Sequence, residues 1–224
     1  MNSKMVTLLF LKDLFLCRRL LFAYVLAGLA SASLACFPNE GVAFVGFLLV
    51  VTISVGMGMH MIGELILEER KSHTLSFVMS LPINITEYSF AKIAVVLMTY
   101  LIPWSAMLIA SVVLITVLPW AKDGMLAPSV IVFLELLASF AVQLVTAIVF
   151  ESLGWTIGVM VAGNVFFNLF IMQFFRLPEI AETVKGDLVV WTPIMSQVAL
   201  VESAVIVLSV MIALAIQSRK RSFI

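Results

Sequence analysis

The sequence predicts an all-α integral membrane protein with six membrane-spanning helices. Hydrophobic residues make up 63% of the 224 residues and charged residues only 12%, whereas soluble domains are about 45–50% apolar. Six apolar stretches are long enough to cross a bilayer, which takes roughly 20 residues in a helix. Lys and Arg residues are concentrated in the connections on one side of these stretches. We therefore expect residues 1–224 to form a single transmembrane domain.

Proline-containing or polar connections separate the six predicted spans. Pro38 and Asn39 lie between the first two spans, and residues 119–128 lie between the third and fourth. A tight turn at Glu151 and Ser152 separates the fourth span from the fifth. The predicted spans are 20–37, 42–66, 93–118, 128–150, 154–175 and 197–216.

The distribution of positive charge predicts the orientation. Ten of the thirteen Lys and Arg residues lie in the N-terminal arm, in residues 67–92 or in the C-terminal tail, and Lys122, Arg176 and Lys185 lie on the other side. The positive-inside rule then places both termini and residues 67–92 in the cytoplasm. The protein is predicted to be a multi-pass protein of the plasma (inner) membrane.

The N-terminal arm is basic and partly apolar. Residues 1–19 are expected to lie along the inner interface as a helix. Ala30-Ser31-Ala32 has the pattern of a signal-peptide cleavage site, but the basic region before the apolar stretch is long for a signal peptide. We therefore expect the first apolar stretch to be retained as a span. Cys17 and Cys36 lie at opposite ends of this stretch, so a disulfide between them is not expected.

Residues 67–92 form an elaborate polar and amphipathic insert between the second and third spans. Glu68 to Lys71 carry charges that end the second span. Leu75, Val78 and Met79 recur at helical spacing and predict a short surface helix, which Pro82 ends. Asn84 and Glu87 have capping-box spacing and begin the next helix. The insert is either a solvated loop or a surface that contacts a cytoplasmic partner.

The insert resembles the type-2 ATP-binding-cassette (ABC) exporter permeases. The residues that carry the resemblance are Glu69, Thr74, Leu75, Ser80, Leu81, Pro82, Glu87 and Lys92. Departures from the family pattern are His73 where Gly is common, Ser76 where Glu is common, and Ala91 where Gly often precedes the Lys. The six-span order and the long external connection before the last span are also similar to the family. The motif covers about 25 residues.

The resemblance implies a cytoplasmic coupling helix near residues 72–80 that docks on a separate ATPase subunit. The residues expected to contact that ATPase are Glu68, Glu69, Arg70, Thr74, Leu75, Phe77, Val78 and Pro82. None of the eleven glycines is followed by Lys-Ser or Lys-Thr, so the phosphate-binding loop G-x-x-x-x-G-K-[ST] is missing from the sequence. We therefore expect a transport subunit without enzyme activity or a cofactor of its own. The partner ATPase, in two copies, would bind ATP and Mg²⁺, and a second permease would complete the assembly as a homodimer or with a sibling.

Residues of the second and fifth spans are expected to form a dimer seam and a substrate path, which the resemblance favours for these two spans. The alternative is ordinary helix packing. The residues are Met57, Met61, Gly154, Gly158, Asn164, Asn168, Phe167 and Phe170. Small residues allow close helix approach, and methionine adapts to irregular apolar surfaces. In the family, residues corresponding to 176–196 form a re-entrant external segment.

Four ionisable residues in the predicted spans are candidates for other functions: His60, Glu64, Glu135 and Glu202. Glu135 and Glu202 each cost about 2.5–3.5 kcal/mol at the centre of a bilayer, so we expect them to face protein or water or to lie near the outer interface. A role in proton coupling is the functional alternative. His60 and Glu64 are four residues apart, but two histidines in the chain do not supply a zinc protease site. His60 is instead expected in a polar patch, with haem ligation as an alternative.

The sequence thus predicts the membrane permease of an ABC exporter that moves an amphipathic or apolar cargo, such as a peptide, a lipid or a drug, out of the cytoplasm. The alternative is a non-transporting membrane scaffold that uses the same insert to dock an assembly or regulatory factor. The two hypotheses differ in whether ATP hydrolysis by the complex responds to a cargo.

Overall fold

The computed structural model describes residues 3–68 and 85–219. Helices dominate these ranges, and no strand occurs in them. The α-helices are α1 Ser3–Ser33, α2 Glu40–Ile62, α3 Ile85–Val117, α4 Leu126–Phe150, α5 Leu153–Phe174, α6 Pro178–Lys185 and α7 Pro193–Arg219.

Six helical segments are long and apolar enough to cross a membrane. They are Val6–Cys36, Gly41–Leu67, Phe90–Val117, Asp123–Phe150, Leu153–Phe174 and Pro193–Ile216. The prediction of an all-helical, multi-pass membrane protein with six candidate spans is confirmed. The surface helix predicted within residues 67–92 falls largely on residues 69–84, which lie outside the described residues.

The N-terminal arm is not a separate helix. α1 runs without a break from Ser3 to Ser33, so the predicted boundary at residue 19 is wrong. Residues 4–20 contain neither Gly nor Pro, and only those residues interrupt a helix strongly by local preference. Arg18 and Arg19 are therefore accommodated within α1, where the Arg18 guanidinium lies 3.7 Å from the centre of the Phe15 ring.

The second span begins at a side-chain cap and ends in a widened turn. The Asn39 side chain accepts hydrogen bonds from the backbone N–H groups of Gly41 and Val42, which satisfies donors that a helix start leaves open. After Ile62 the helix continues as a π-helix over Gly63–Leu67. Such π-turns are rare in helices overall, and those that occur often lie at functional sites.

The predicted tight turn between the fourth and fifth spans is confirmed. α4 ends at Phe150 and α5 begins at Leu153. Glu151 has φ 51°, in the left-handed region, and its N–H donates to the carbonyl oxygen of Ala147. A left-handed residue of this kind closes a helix C-terminus and reverses the chain, so α4 and α5 lie side by side.

The connection between α5 and α7 contains one short helix, α6, packed on the turn Asp123–Met125. The N–H of Gly124 donates to the carbonyl oxygen of Gly186 at 3.1 Å. The Lys122 ammonium lies 2.5 Å from the Asp187 carboxylate. Two connections on the same side of the spans are thus joined, while the depth of residues 176–196 in the bilayer stays a prediction.

The core lies around α4. In the most apolar stretch of each span, 72% of the α4 residues are buried, against 11% for α5 and 17% for α7. α4 is therefore the central helix, and α5 and α7 pack on it with most of their surface facing outward. The largest fully buried side chains around it include Tyr100, Phe140, Met57, Met61 and Leu144.

Candidate functional site

A groove of about 570 Å³ opens between α4, α5 and α7. α4 forms its floor, and α5 and α7 form its walls. The lining is mostly apolar, and its polar side chains are Glu135 and Ser139 from α4 and Gln197 and Glu202 from α7. A concave, largely apolar space with a few converging polar groups has the usual character of a small-molecule site.

Helical spacing places the α4 lining residues on one face. Glu135, Ala138, Ser139 and Val142 follow one another at three- and four-residue steps, which keeps them on the same side of a helix. The opposite side is held by α3. The Trp104 indole N–H donates to the carbonyl oxygen of Phe133 at 2.9 Å.

Tyr100 adds a second link from α3 to the same part of α4. Its hydroxyl donates to the carbonyl oxygen of Leu136 at 3.3 Å, and its ring stacks on Phe140 with 3.7 Å between the ring centroids. The Trp104 and Tyr100 bonds bracket Glu135 along the chain. They fix the rotation of α4 that turns Glu135 towards α7.

Two carboxyl groups meet in the groove. The Glu135 carboxyl lies within hydrogen-bonding reach of the Glu202 carboxyl. Glu135 is 7% exposed and Glu202 is 4% exposed. Apart from the neighbouring carboxyl, neither oxygen of Glu202 has a hydrogen-bond partner. Both residues face protein, which was one of their expected environments, and their pairing with each other was not expected.

The pair is electrostatically unusual. Two facing carboxyl groups in an apolar environment cannot both be ionised without a large free-energy cost. No Lys, Arg or His lines the groove. A negative charge on either carboxyl would therefore have no balancing cation among the lining residues. A buried charge is costly unless it is paired, so ionisation of the pair favours a cationic ligand.

The predicted contacts with an ATPase fall mainly outside the described residues. Glu69, Arg70, Thr74, Leu75, Phe77, Val78 and Pro82 all lie within residues 69–84. Glu68 is described and exposed, directly after the π-helix. The placement of the coupling residues stays a prediction.

Of the residues predicted to form the dimer seam and substrate path, some are buried and others are exposed. Met57 and Met61 are fully buried in the core. Phe167 packs inward against Val51, Val132 and Leu136. These three side chains therefore do not line an open surface of this chain.

The remaining residues of that prediction lie on α5. Phe170 lines the groove. Gly154 and Gly158 are exposed, and a Cβ at Gly158 would meet nothing within 4 Å. Asn168 is exposed and donates from its side chain to the carbonyl oxygen of Asn164, which is half-buried. The α5 surface thus remains available to a second chain.

A second polar cluster joins α1 to α2. The Tyr24 hydroxyl lies 2.8 Å from Nδ1 of His60, and Nε2 of His60 lies 3.8 Å from the Glu64 carboxylate. The predicted polar patch of His60 and Glu64 is present, with Tyr24 as an additional member. No group of three or more His, Cys, Asp or Glu side chains suited to a metal ion occurs in the described parts of the chain.

A buried ion pair joins α1 to α3. The Lys92 ammonium lies 2.5 Å from Oδ2 of Asp13, and both side chains are buried. Lys92 is a residue of the family-like motif, and its partner on α1 could not be identified from spacing. The pair connects the end of the insert to the first span.

The carboxyl pair is the functional feature that the sequence analysis missed. Each Glu was recognised as costly in a span, but their sequence positions do not reveal that they meet. One acidic residue in each of two spans, without a basic residue in either apolar stretch, would have been the available signal.

Comparison of the chain with known proteins gives no family assignment: no family model, no curated protein and no solved structure matches it.

Proposed function

We propose that the chain is the membrane-spanning permease subunit of an ABC exporter. The observation that carries the proposal is the insert at residues 67–92, whose motif residues stand at the family spacing between two of six candidate spans. Its cargo would be amphipathic or apolar, and a separate cytoplasmic ATPase would supply the energy. Two copies of that ATPase and a second permease would complete the assembly in the plasma membrane.

The ion pair of Asp13 with Lys92 supports this proposal. Lys92 follows the insert on α3, and Asp13 lies on α1. A push on the insert would therefore reach two spans at once, since a buried ion pair is costly to separate. In the proposed mechanism, ATP binding closes the two ATPases, moves the 72–80 segment and tilts the spans from inward-open towards outward-open.

The groove supports a role in transport more than one in scaffolding alone. A docking scaffold has no use for an apolar cavity that contains buried, ionisable side chains. Such groups inside a membrane are expensive, and they commonly mark substrate or ion pathways.

Co-purification from the native host tests the proposal. The tagged chain is extracted in mild detergent, and the proteins that accompany it are identified by mass spectrometry. A near-stoichiometric soluble protein with a phosphate-binding loop is the expected result. Its absence from a well-folded preparation would contradict the exporter proposal and favour the scaffold.

Charge insertion then tests the position of the coupling helix. Leu75→Asp with Phe77→Asp is expected to release the ATPase, because an apolar contact cannot absorb two unpaired charges. The control is Leu188→Asp with Val190→Asp, two exposed residues of the opposite connection, which should retain it. Retention of the ATPase by the Leu75 and Phe77 variant would contradict the placement.

A further inference from the structure

We propose that the groove between α4, α5 and α7 binds a lipophilic organic monocation, with its charge at the Glu135–Glu202 pair and its apolar body against α5. The class of ligand is a quaternary ammonium, a phosphonium or a protonated amine that carries aromatic or aliphatic groups. The inference that such a cation is the exported cargo rests on the proposed function. The inference that the groove binds such a cation does not.

The charge of the ligand follows from the carboxyl pair. When one of the two facing carboxyls loses its proton, no basic side chain lines the groove to balance the negative charge. The Glu202 carboxyl oxygens have no partner other than the neighbouring carboxyl. A monocation restores neutrality at this position, whereas an anion would add to the repulsion.

The body of the ligand follows from the rest of the lining. Val142, Val159, Val198 and Val205 supply aliphatic surface, and Phe166 and Phe170 supply aromatic rings. Aromatic faces attract cations that are poorly hydrated. A volume of about 570 Å³ lies within the range of pockets for drug-sized ligands, which is about 300–1,000 Å³.

The site opens between α5 and α7, two spans that the rest of the chain covers little. Phe166 is 60% exposed and Val201 is 64% exposed, so the mouth of the groove lies between two outward-facing helix surfaces. A ligand dissolved in the apolar part of the membrane could enter there without crossing the packed core around α4.

The direct test uses two ions of nearly the same shape and opposite charge. The purified chain, with any subunits that accompany it, is dialysed to equilibrium against radiolabelled tetraphenylphosphonium in detergent, and empty micelles give the background. Saturable binding of one cation per chain is expected. In a separate dialysis, radiolabelled tetraphenylborate should show no saturable binding above that of empty micelles.

Four variants separate charge from space. Glu135→Gln with Glu202→Gln removes the charge, and Ala162→Trp fills the groove while leaving both carboxyls in place. Both are expected to lower the affinity at least tenfold. Glu182→Gln, an exposed carboxyl on α6, and Val161→Trp, an exposed neighbour outside the lining, are the matched controls and should bind normally.

Three results would overturn the proposal: no saturable binding of tetraphenylphosphonium by the native chain, equal saturable binding of tetraphenylborate, or unchanged binding of tetraphenylphosphonium by the glutamine variant. The fold of each variant is compared with that of the native chain by size-exclusion chromatography and circular dichroism. The two variants expected to bind weakly act through different residues, so a folding defect in one does not affect the other. Because the assay needs no ATPase, a failed co-purification and a failed binding measurement remain distinguishable results.

Discussion

The Lys92 ammonium lies 2.5 Å from the Asp13 carboxylate, in a buried contact that joins α3 to α1. The Lys12 ammonium also lies 3.2 Å from Asp13, but its side chain is half-exposed. The contact with Lys92 is therefore the one that should matter for stability. Surface ion pairs contribute about 0–1 kcal/mol, whereas breaking one partner of a buried pair costs about 3–5 kcal/mol.

The first prediction concerns this ion pair. Asp13→Leu alone should lower the free energy of unfolding by about 3–5 kcal/mol, because the Lys92 ammonium loses its closest carboxylate. Asp13→Leu with Lys92→Met should lower it much less, since both charges are removed together. Unfolding by SDS titration, followed by circular dichroism, measures the four corners of this double-mutant cycle. Additive losses would show that the two residues act independently.

The second prediction concerns orientation. Cys36 is exposed and follows α1, whereas Cys17 is buried. If both termini are cytoplasmic, a membrane-impermeant maleimide should label Cys36 in intact cells. A cysteine introduced in the tail by Ser222→Cys, in a Cys36→Ser background, should be labelled only after the cells are permeabilised. The reverse pattern would contradict the positive-inside assignment.

The third prediction concerns the junction between the turn Asp123–Met125 and α6. A Cβ at Gly124 would lie 1.9 Å from the carbonyl oxygen of Thr183 and 2.8 Å from that of Gly186. Gly124→Ala should therefore displace α6, at a cost of about 1–3 kcal/mol typical of overpacking.

Trypsin cleavage after Lys185, followed by mass spectrometry, measures the displacement caused by Gly124→Ala. Cleavage should be faster in the variant than in the native chain, because a detached α6 opens locally more often. Gly56→Ala is the control, since a Cβ at Gly56 would meet nothing within 4 Å. Equal cleavage rates in the native chain and the Gly124 variant would show that α6 is not held at this position.

The fourth prediction concerns contact between α5 and a second permease, which would be a second copy of the chain or a sibling subunit. Gly158 is exposed on α5, and a Cβ added there would meet nothing within 4 Å. Gly158→Leu should leave the fold of one chain intact and separate a permease dimer, because small residues permit close helix approach in membranes. Multi-angle light scattering after size-exclusion chromatography measures the mass. Ala23→Leu, at an exposed residue of α1, is the control, and a dimer in both variants would exclude this seam.

The spans could be predicted from the sequence because the information is local. Each span needs about 20 apolar residues. Asn39 begins one helix and Glu151 ends another, each through contacts with residues close in the chain. The boundary at residue 19 was wrong because α1 continues through Arg18 and Arg19. Charges near a helix end do not require a break when long side chains can reach the interface.

The acidic groove could not be predicted because it depends on how helices rotate against one another. Glu135 turns towards α7 since Tyr100 and Trp104 bond the other side of α4. Met57 and Met61 turn inward for the same kind of reason, through contacts of the packed core. Such rotations are set by contacts between spans that are distant in sequence, and spacing within one span does not contain them.

The last prediction is that Glu202 lowers stability in the empty protein. Its carboxyl is buried against Glu135, and neither oxygen has another partner. An unsatisfied buried polar group costs about 1–3 kcal/mol, so Glu202→Leu should raise the free energy of unfolding by a similar amount while it weakens binding of tetraphenylphosphonium. Val207→Leu, at an exposed residue of α7 outside the groove lining, should change neither quantity. Binding sites commonly give up stability for function in this way. A large loss of stability in Glu202→Leu would instead identify Glu202 as a structural residue, held in place by Glu135 for the sake of the fold.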